Sequence, residues 1–347
     1  MTSDKLNIGL IGAGRIGRLH AEHLSHRIAK ANLVMVADVS HDAASQCAQH
    51  TGTARATTNV RDILDHPDIQ AVVICSSTDT HAQIIKEAAE AGKHIFCEKP
   101  IDQDLEKIDE AIAAVRQAGV LLQIGFNRRF DANFQRIRDA VAHQEIGEPH
   151  LLHIISRDPA PPPIGFVETS GGLFMDLTIH DFDLARFLIG HEVEEIYATG
   201  GVRVDPAIGD AGDLDTAMIL LKFTNGVIGN IDNSRQAVYG YDQRVEVFGS
   251  GGSIQAGNNF PNSVMVWGKN SVYRDRPHNF FLDRYVDSYL NEMMQFVDAV
   301  LDDKPSPMDG NEGRCPVVMA LAARMSYDEN RPVRLDEVDR SRPPAEV

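Results

Sequence analysis

The pattern of apolar and polar residues changes about a third of the way along the chain. Before that point, short apolar runs rich in β-branched residues alternate with stretches in which apolar residues recur at helical spacing. The apolar runs predict strands at Asn7–Ile11, Leu33–Ala37, Ala71–Cys75, His94–Cys97 and Val120–Ile124. Strands that alternate with helices form a parallel sheet with helices on both faces. Residues 1–125 are therefore predicted to form a doubly wound Rossmann domain of the α/β class.

Later in the chain, strand-like runs predominate and predict a second domain of the α+β class, covering residues 126–347. Strands are expected at Leu151–Ser156, Glu195–Thr199, Ala217–Phe223, Gly226–Asp232 and Arg244–Phe248. The tripeptide TNG at 224–226 indicates a hairpin turn, so this large open sheet is expected to be mostly antiparallel. Helical stretches near Ser288–Leu301 and Gly313–Tyr327 close the chain.

A glycine-rich sequence follows the first predicted strand and opens the next helix. Gly12, Gly14 and Gly17 have the spacing G-x-G-x-x-G, which permits a tight turn and a close approach of the backbone to a pyrophosphate. The alternative is a tight turn without a ligand. Because the sequence lies between a strand and a helix, dinucleotide binding is favoured, and these glycines with the enclosed Arg15 and Ile16 are predicted to bind the cofactor.

An acidic residue at the end of the second strand distinguishes between the two nicotinamide cofactors. Asp38 follows Gly17 by 21 residues, where a carboxylate accepts hydrogen bonds from the adenosine ribose hydroxyls. Its charge would repel a 2′-phosphate, and no arginine follows it in the sequence ADVSHD. The alternative is an exposed aspartate without a ligand. The sequence therefore predicts NAD, rather than NADP, as the cofactor.

Polar residues also follow the third and fourth strands, in the sequences CSSTDTH and CEKP. Ligands in open α/β sheets bind at the carboxyl ends of the strands. The predicted cofactor-binding residues at these ends are Ser76, Thr78, His81, Glu98 and Lys99. Lys99 is also a candidate for the chemistry, although a lysine at a strand end is as often solvent-exposed surface.

The sequence GGLFMDLTIHDFDLARFL at 171–188 predicts a largely apolar helix that contains aligned ionisable residues. Asp176, His180 and Asp183 recur at i, i+4 and i+7 and would share one face of an α-helix. Several ionisable groups are costly to bury together, which favours a functional site over hydrogen-bonded core groups. A metal site is the third alternative. Because no further His or Cys cluster is nearby, no metal is expected.

The motifs GAGRIGRLH, STDTH, CEKP and GFNRRFD, followed by this helix sequence, make the chain resemble the glucose-fructose oxidoreductase, inositol dehydrogenase and MocA family. The resemblance extends over nearly the whole chain. It implies a Rossmann domain followed by an α+β domain whose open sheet serves as an oligomer interface, commonly in a homotetramer. It also implies NAD-dependent oxidation of a ring secondary alcohol, with hydride transfer to C4 of the nicotinamide.

The resemblance implies roles for particular residues. Lys99, Asp176 and His180 match the family's catalytic residues. The residues expected to contact the polyol substrate are these three and Asn127, Arg128, Asp158, Asp183 and Tyr241. Histidine suits the role of base because its pKa lies near working pH, so His180 is the expected base. Lys99 would stabilise the charge that develops on the reacting oxygen; alternatively, Lys99 accepts the proton first and His180 relays it.

The expected reaction is the oxidation of myo-inositol to 2-keto-myo-inositol (scyllo-inosose), an inositol 2-dehydrogenase activity. Alternatives in the same class are oxidation of another inositol isomer or of an aldose. A hypothesis of another class is a non-catalytic sensor that binds NAD. The presence of Lys99, Asp176 and His180 together disfavours that sensor.

Composition excludes some partners. The net charge of −17 over 347 residues argues against nucleic acid, because phosphate binding needs a basic surface. Apolar stretches such as Ala71–Cys75 and Val317–Ala322 are too short to cross a membrane, and no signal-peptide pattern is visible. The four cysteines are scattered, which is typical of reduced thiols. A cytoplasmic enzyme with a small-molecule substrate is expected.

Overall fold

The structure is a computed structural model that describes residues 5–53 and 55–339. Within these ranges, no helix is both long enough and apolar enough to cross a membrane. The described chain forms two compact units. The first contains the residues up to Asn127 together with the later segment Asp287–Cys315, and the second contains the rest. The late segment differs from the predicted division, which assigned everything after residue 125 to the second domain.

The first unit contains one parallel sheet with helices between its strands. Its strands are β1 (Leu6–Ile11), β2 (Ala31–Ala37), β3 (Arg55–Thr57), β4 (Ala71–Ile74), β5 (His94–Glu98) and β6 (Leu122–Gly125). Its first helices are α1 (Arg15–Glu22), α2 (His41–Thr51), α3 (Arg61–Leu64), α4 (Thr78–Glu90) and α5 (Leu105–Ala118). All strand pairs are parallel, in the order β3-β2-β1-β4-β5-β6. The strand order reverses between β1 and β4, which confirms the predicted doubly wound Rossmann fold.

The strands of this sheet are buried on both faces, as their continuous apolar sequences predict. Leu6, Ile8 and Leu10 of β1 are fully buried, and so is every residue of β4. Helix α5 has a clear signal in the sequence at both of its ends. The Asp104 side chain accepts a hydrogen bond from the Glu106 amide at the start, and the helix ends at a glycine in the left-handed conformation.

The second unit contains a larger, mixed sheet and a separate hairpin. Its strands are β7 (Pro149–Arg157), β8 (Val193–Gly201), β9 (Thr216–Phe223), β10 (Ile228–Ser234), β11 (Asp242–Gly249), β12 (Gly252–Ala256), β13 (Met265–Trp267), β14 (Val272–Arg274) and β15 (Val333–Arg334). Seven of them form a sheet in the order β12-β11-β7-β10-β9-β8-β15, and β13 pairs with β14. Only the β7–β10 pair of this seven-stranded sheet is parallel, so the mostly antiparallel sheet was predicted correctly.

One face of this sheet is open in the single chain. Residues of β9 alternate between buried and exposed, as expected for a sheet with one face packed. The exposed positions on β9 include Met218 and Leu220, which are 41% and 46% exposed. A row of apolar residues crosses the neighbouring strands, where Phe248 pairs with Leu151 and Leu151 with Ile228. These five residues define the open apolar face.

Residues 171–188, predicted above to form one helix, lie among the helices of the second unit. The short and medium helices before residue 285 are α6 (Ala132–Ala142), α7 (Ile164–Val167), α8 (Ile179–Ile189), α9 (Pro206–Asp210) and α10 (Phe281–Arg284). The single helix predicted over 171–188 is interrupted in its geometry. A π-helical turn, Phe174–Thr178, precedes α8, so the spacing of side chains differs from that of a continuous α-helix.

The last helices are α11 (Val286–Leu301), α12 (Gly310–Glu329) and α13 (Leu335–Val338). The apolar side chains of Met293, Phe296 and Val297 on α11 belong to the core of the first unit. The Gln123 side chain on β6 also donates a hydrogen bond of 2.9 Å to the backbone oxygen of Glu292. These contacts explain why the segment after residue 286 joins the first unit, a long-range pairing that local patterns do not reveal.

Candidate active site

The glycine loop after β1 has the geometry of a phosphate-binding turn. Gly12 has φ +97°, and a Cβ there would come within 2.5 Å of the backbone of Cys75 and Ser76. A Cβ at Gly17 would lie 1.9 Å from the Gly12 oxygen. At Gly14, by contrast, a Cβ would meet nothing described within 4 Å, so the loop is open there. Gly14 caps α1 without a side-chain hydrogen bond, so the helix start can offer amide groups to an anion.

Asp38 ties the glycine loop to the end of β2. Its Oδ2 accepts a hydrogen bond of 2.7 Å from the Ala13 amide, and its Oδ1 accepts one of 2.8 Å from the Ser40 amide. Each carboxylate oxygen can accept a further hydrogen bond. The carboxylate is therefore fixed at the strand end with capacity for the ribose hydroxyls, which fits the predicted role.

The ends of β4 and β5 are joined by a buried histidine. The ring nitrogens of His81 lie 2.8 Å from the Pro100 carbonyl oxygen and 3.0 Å from that of Ser76. His81 is 2% exposed, so it connects the two loops, and its predicted contact with the cofactor stays a prediction. Thr78 and Lys99 are half-buried, and the Lys99–Pro100 peptide bond is cis.

Glu98, at the end of β5, lies over the backbone of β6. A Cβ added at Gly125 would come within 3.2 Å of the Glu98 carboxyl group, so the two groups are closely packed. Oε1 of Glu98 lies 2.8 Å from Nε2 of His20. Asn127, predicted to contact substrate, is 2% exposed, and its Nδ2 lies 3.5 Å from the Ser288 hydroxyl.

In the second unit, the helical segment 174–189 presents two of the three predicted ionisable residues at its surface. Asp176 and His180 are half-buried, whereas Asp183 is fully buried. The Arg129 guanidinium donates to both carboxylate oxygens of Asp183, with a shortest distance of 2.7 Å. Of the three aligned ionisable residues, Asp176 and His180 are therefore the two that are not fully buried, and Asp183 has a buried ionic partner.

A buried arginine that the sequence analysis did not identify holds Asp176. The Arg235 side chain is fully buried, and its Nη1 donates a hydrogen bond of 3.1 Å to Oδ2 of Asp176. Its Nη2 lies 3.6 Å from Oδ2 of Asp213. The charges of this group also act on Asp158. Burial, and after it the charge of Asp176, raises the pKa of Asp158 to about 7, although Arg235 opposes the shift. Asp158 is thus in the same electrostatic environment as Asp176.

Behind α8 lies a buried polar network that supports this segment. Arg128 forms an ion pair with Asp181, and both are almost completely buried. The Asn233 side-chain amide donates a hydrogen bond of 2.9 Å to Asp181. The Thr178 hydroxyl donates one of 2.6 Å to the Asn233 side-chain oxygen. Burial raises the pKa of Asp181. The charge of Arg128 and the hydrogen bond from Asn233 act in the opposite direction and reduce this shift. The predicted contact of Arg128 with substrate stays a prediction that this burial disfavours.

Tyr241 lies near the same network. It is 6% exposed, and its ring packs edge-on against Tyr285 at 6.0 Å between ring centres. Burial raises the pKa of its hydroxyl well above the ordinary value, so it is a neutral hydrogen-bonding group.

Sequence reasoning missed Arg235, Asp181, Asn233, His20 and Glu292. Their partners are distant in sequence, and no local motif marks them. Within the described ranges, the one group of three residues able to share a metal ion is His20, Glu98 and Glu292, not Asp176, His180 and Asp183.

A doubly wound sheet with a glycine loop and a strand-end aspartate, followed by an α+β unit with a half-buried Asp-His pair, defines a nicotinamide-dependent oxidoreductase. Residues 6–126 match the oxidoreductase family with an NAD-binding Rossmann fold, and residues 134–255 match the GFO/IDH/MocA C-terminal domain. The chain belongs to the GFO/IDH/MocA family, as its motifs predicted.

Similar proteins match nearly the whole chain. An uncharacterized oxidoreductase of Bacillus subtilis, YrbE, is 50% identical over 96% of this chain and 97% of its own length. Myo-inositol 2-dehydrogenase of Thermotoga maritima is 46% identical over 96% of this chain and 99% of its own. The crystal structure of scyllo-inositol dehydrogenase from Lactobacillus casei, with bound NAD(H) and scyllo-inositol, is 30% identical with a TM-score of 0.90, covering 95% of this chain and 99% of that one.

Proposed function

We propose that this protein oxidises myo-inositol at C2 to 2-keto-myo-inositol with NAD as the hydride acceptor. The observation that carries the proposal is the pair Asp176 and His180, which reaches the surface of a helical segment whose neighbouring residues are buried. A buried cation, Arg235, holds the acid of this pair. The similarity to the Thermotoga maritima myo-inositol 2-dehydrogenase supports the choice of substrate.

The residues of the first unit fit NAD. The open backbone at Gly14 would take the pyrophosphate, and the fixed carboxylate of Asp38 would accept hydrogen bonds from the ribose hydroxyls. Ser76, Thr78 and Glu98 at the strand ends would bind the nicotinamide half. When bound, NAD supplies the acceptor for hydride at C4 of its nicotinamide ring.

His180 would remove the hydroxyl proton from the substrate as hydride leaves the same carbon. Asp176 would orient the His180 ring or accept a hydrogen bond from a neighbouring hydroxyl. Its ion pair with Arg235 fixes the position of the carboxyl group, which suits both tasks. Lys99 would donate to the reacting oxygen and stabilise its negative charge. Lys99 as the first acceptor, with His180 as relay, is the alternative order.

A cyclitol offers several hydroxyl groups to recognise. Asp158 and Tyr241 would bind hydroxyls next to the reacting one, because a buried phenol and an acid with a pKa near 7 can both donate and accept. Asn127, Arg128 and Asp183 would act mainly by supporting the site, since all three are buried.

A second candidate is the oxidation of scyllo-inositol, the ligand of the Lactobacillus casei relative. The two isomers differ at the carbon that is oxidised, so hydride would leave from opposite faces of the ring. Both reactions use the same residue types. A homotetramer that buries the open apolar face stays a prediction of the family resemblance. A cytoplasmic location stays a prediction from the composition of the chain.

The test is a substrate panel read by the absorbance of NADH. The purified protein is incubated with NAD and, separately, with myo-inositol, scyllo-inositol, chiro-inositol or glucose. We expect the highest kcat/KM with myo-inositol, and the product is identified by NMR as the 2-keto form. Turnover highest with scyllo-inositol or glucose would replace the proposed substrate. Tight NAD binding without turnover of any polyol would favour the sensor hypothesis instead.

A further inference from the structure

Three ionisable side chains meet inside the first unit and take no part in the proposed proton transfer. His20 comes from α1, Glu98 from the end of β5 and Glu292 from α11. One nitrogen or oxygen atom of each lies within 4.8 Å of the others. His20 and Glu292 are fully buried, and the Glu98 side chain is 13% exposed. Glu98 directly precedes Lys99, so this cluster lies under the predicted cofactor-binding strand end.

The contacts of His20 fix the position of its proton. Its Nε2 lies 2.8 Å from Oε1 of Glu98, whereas its buried Nδ1 has no hydrogen-bond partner among the described residues. The ring is packed edge-on against Phe96 and Tyr289, at 5.1 and 5.9 Å between ring centres. A neutral imidazole has one N–H, which belongs where an acceptor is present. This places the N–H on Nε2, which donates to Oε1 of Glu98.

Glu292 has different surroundings. Both of its carboxyl oxygens are buried and have no hydrogen-bond partner among the described residues. An ionised Glu292 would add a second buried negative charge next to Glu98. A protonated Glu292 is neutral and has one O–H that can be donated to the Glu98 carboxylate. In agreement, burial and then the charge of Glu98 raise the pKa of Glu292 well above its ordinary value.

The other titratable groups that face the cluster are neutral near pH 7. Burial, and after it the charge of Glu98, raises the pKa of the Cys75 and Cys97 thiols well above their ordinary value. Burial, and after it the proximity of His20, lowers the pKa of His23 to about 4. These three groups therefore add no charge of their own next to Glu98.

We propose that Glu292 is a positioning residue that stays protonated beside Glu98. The buried pair then carries one negative charge, and Glu98 keeps its position directly before Lys99 in the chain. The effect on the cofactor rests on the proposed function, because Glu98 is there assigned to NAD. A divalent cation is the competing occupant of the same three residues. It would need the lone pair of His20 Nε2, which the hydrogen bond to Glu98 already engages as N–H.

The first test examines the proton itself, without cofactor or substrate. Infrared difference spectra of the apo protein at pH 7 compare wild type with Glu292→Gln. Asp287→Asn serves as the matched control, since Asp287 is an exposed acid on the same helix. Because Asp158 also carries a proton in part of the molecules at pH 7, the band of Glu292 is read from the difference between wild type and variant. We expect the carbonyl stretch of a protonated carboxyl group in the difference between wild type and Glu292→Gln, and no such band in the difference between wild type and Asp287→Asn. A wild-type minus Glu292→Gln spectrum without that band overturns the proposal.

The second test examines the effect on NAD, measured by calorimetry from pH 6 to pH 9. Glutamine is uncharged and has an N–H donor at this position, as the protonated acid has an O–H, whereas leucine has no donor. We expect Glu292→Leu to bind NAD about tenfold more weakly than Glu292→Gln at pH 7. Wild type should lose affinity as Glu292 ionises at high pH, and Glu292→Gln should lack this loss. Equal affinity and equal pH profiles in both variants would contradict the positioning role.

A zinc titration separates the two occupants of the cluster. If wild type binds Zn²⁺ tightly and Glu292→Gln does not, the cluster is a metal site and the proton assignment is wrong. We expect no difference between the two proteins. None of these measurements requires turnover, so failure of the inositol assay would leave the infrared result intact and would identify the proposed function as the part that failed.

Discussion

The buried guanidinium of Arg235 lies 3.1 Å from Oδ2 of Asp176 and 3.6 Å from Oδ2 of Asp213. One cation thus holds two acids, of which Asp176 is half-buried and precedes His180 by four residues. The position of the Asp-His pair therefore depends on a residue from the end of β10 as well as on its own helix.

Replacing this cation should damage both the site and the fold. Arg235→Lys keeps the charge but cannot reach both acids, and we expect kcat to fall about 10- to 100-fold. Arg235→Leu leaves two acids without their cation and should lower the free energy of unfolding by about 3 to 5 kcal/mol. Steady-state kinetics and urea unfolding measure the two effects. Arg244→Lys, at a half-exposed arginine that pairs with Asp242, should change kcat less than twofold.

Removal of the expected base should separate turnover from cofactor binding. In His180→Ala, no side chain accepts the hydroxyl proton, so kcat should fall about 10²- to 10⁴-fold. NAD binding should change little, because the predicted cofactor residues belong to the first unit. Stopped-flow NADH formation and calorimetry with NAD measure the two quantities. Near-normal turnover of His180→Ala across pH would assign the base to Lys99.

The N-terminal fold and the cofactor were predictable because their signals are local. A buried parallel strand appears as a continuous apolar run, and the glycine loop and Asp38 have fixed spacing from such runs. Asp176 and His180 were identified as candidate site residues because burying ionisable groups in an apolar helix costs free energy, which favours a functional role for them. In each case a few neighbouring residues carry enough information.

The remainder depends on contacts between residues far apart in sequence. Arg235 lies 59 residues after Asp176 and follows an ordinary strand, so nothing local marks it as a partner. The predicted alignment of Asp176, His180 and Asp183 on one face assumed a continuous α-helix, and the π-helical turn at Phe174–Thr178 changes that spacing. Likewise, Glu292 reads as one polar position on an amphipathic helix until packing places it beside Glu98.

The cofactor preference should depend on the carboxylate of Asp38. In Asp38→Ala, two ribose hydroxyls lose a charged acceptor and the repulsion of a 2′-phosphate disappears. We expect the Kd of NAD to rise about 10- to 100-fold and binding of NADP to become measurable by calorimetry. Asp42→Ala, at an exposed acid in the first turn of α2, controls for the change in net charge. Unchanged discrimination between the cofactors in Asp38→Ala would place the ribose elsewhere.

The open apolar face predicts the effect of a surface charge on assembly. Ile228 is 55% exposed and lies in the row with Leu151 and Phe248. If this face is buried in a homotetramer, Ile228→Glu puts an unpaired charge into that interface and should shift the protein to smaller species. Sedimentation velocity measures the assembly state. Leu301→Glu, at a 37% exposed leucine of the first unit, is the matched control and should leave it unchanged.

Asp158 should make stability depend on pH in the opposite sense to most acids. Its pKa rises from 3.8 to about 7 in the folded chain, because of burial and the charge of Asp176. The folded protein therefore keeps a proton that the unfolded chain loses above pH 3.8. The stabilising contribution is fully present below that pH and is lost as the pH rises through about 7.

Asp158→Asn removes this titration, so its free energy of unfolding relative to wild type should increase by about 2 to 4 kcal/mol between pH 4 and pH 7. Urea unfolding at several pH values measures the difference. Asp242→Asn is the contrasting control. Burial raises the pKa of Asp242, but hydrogen bonds from Arg244, Tyr239 and Asn258 outweigh burial and hold this pKa below its ordinary value. Asp242 stabilises the fold above pH 3.8 and loses this effect at lower pH, so its variant should show the opposite trend below pH 3.8 and no trend at higher pH. If Asp158→Asn and wild type have parallel pH profiles, Asp158 is ionised in the folded protein and cannot donate a proton to a substrate hydroxyl.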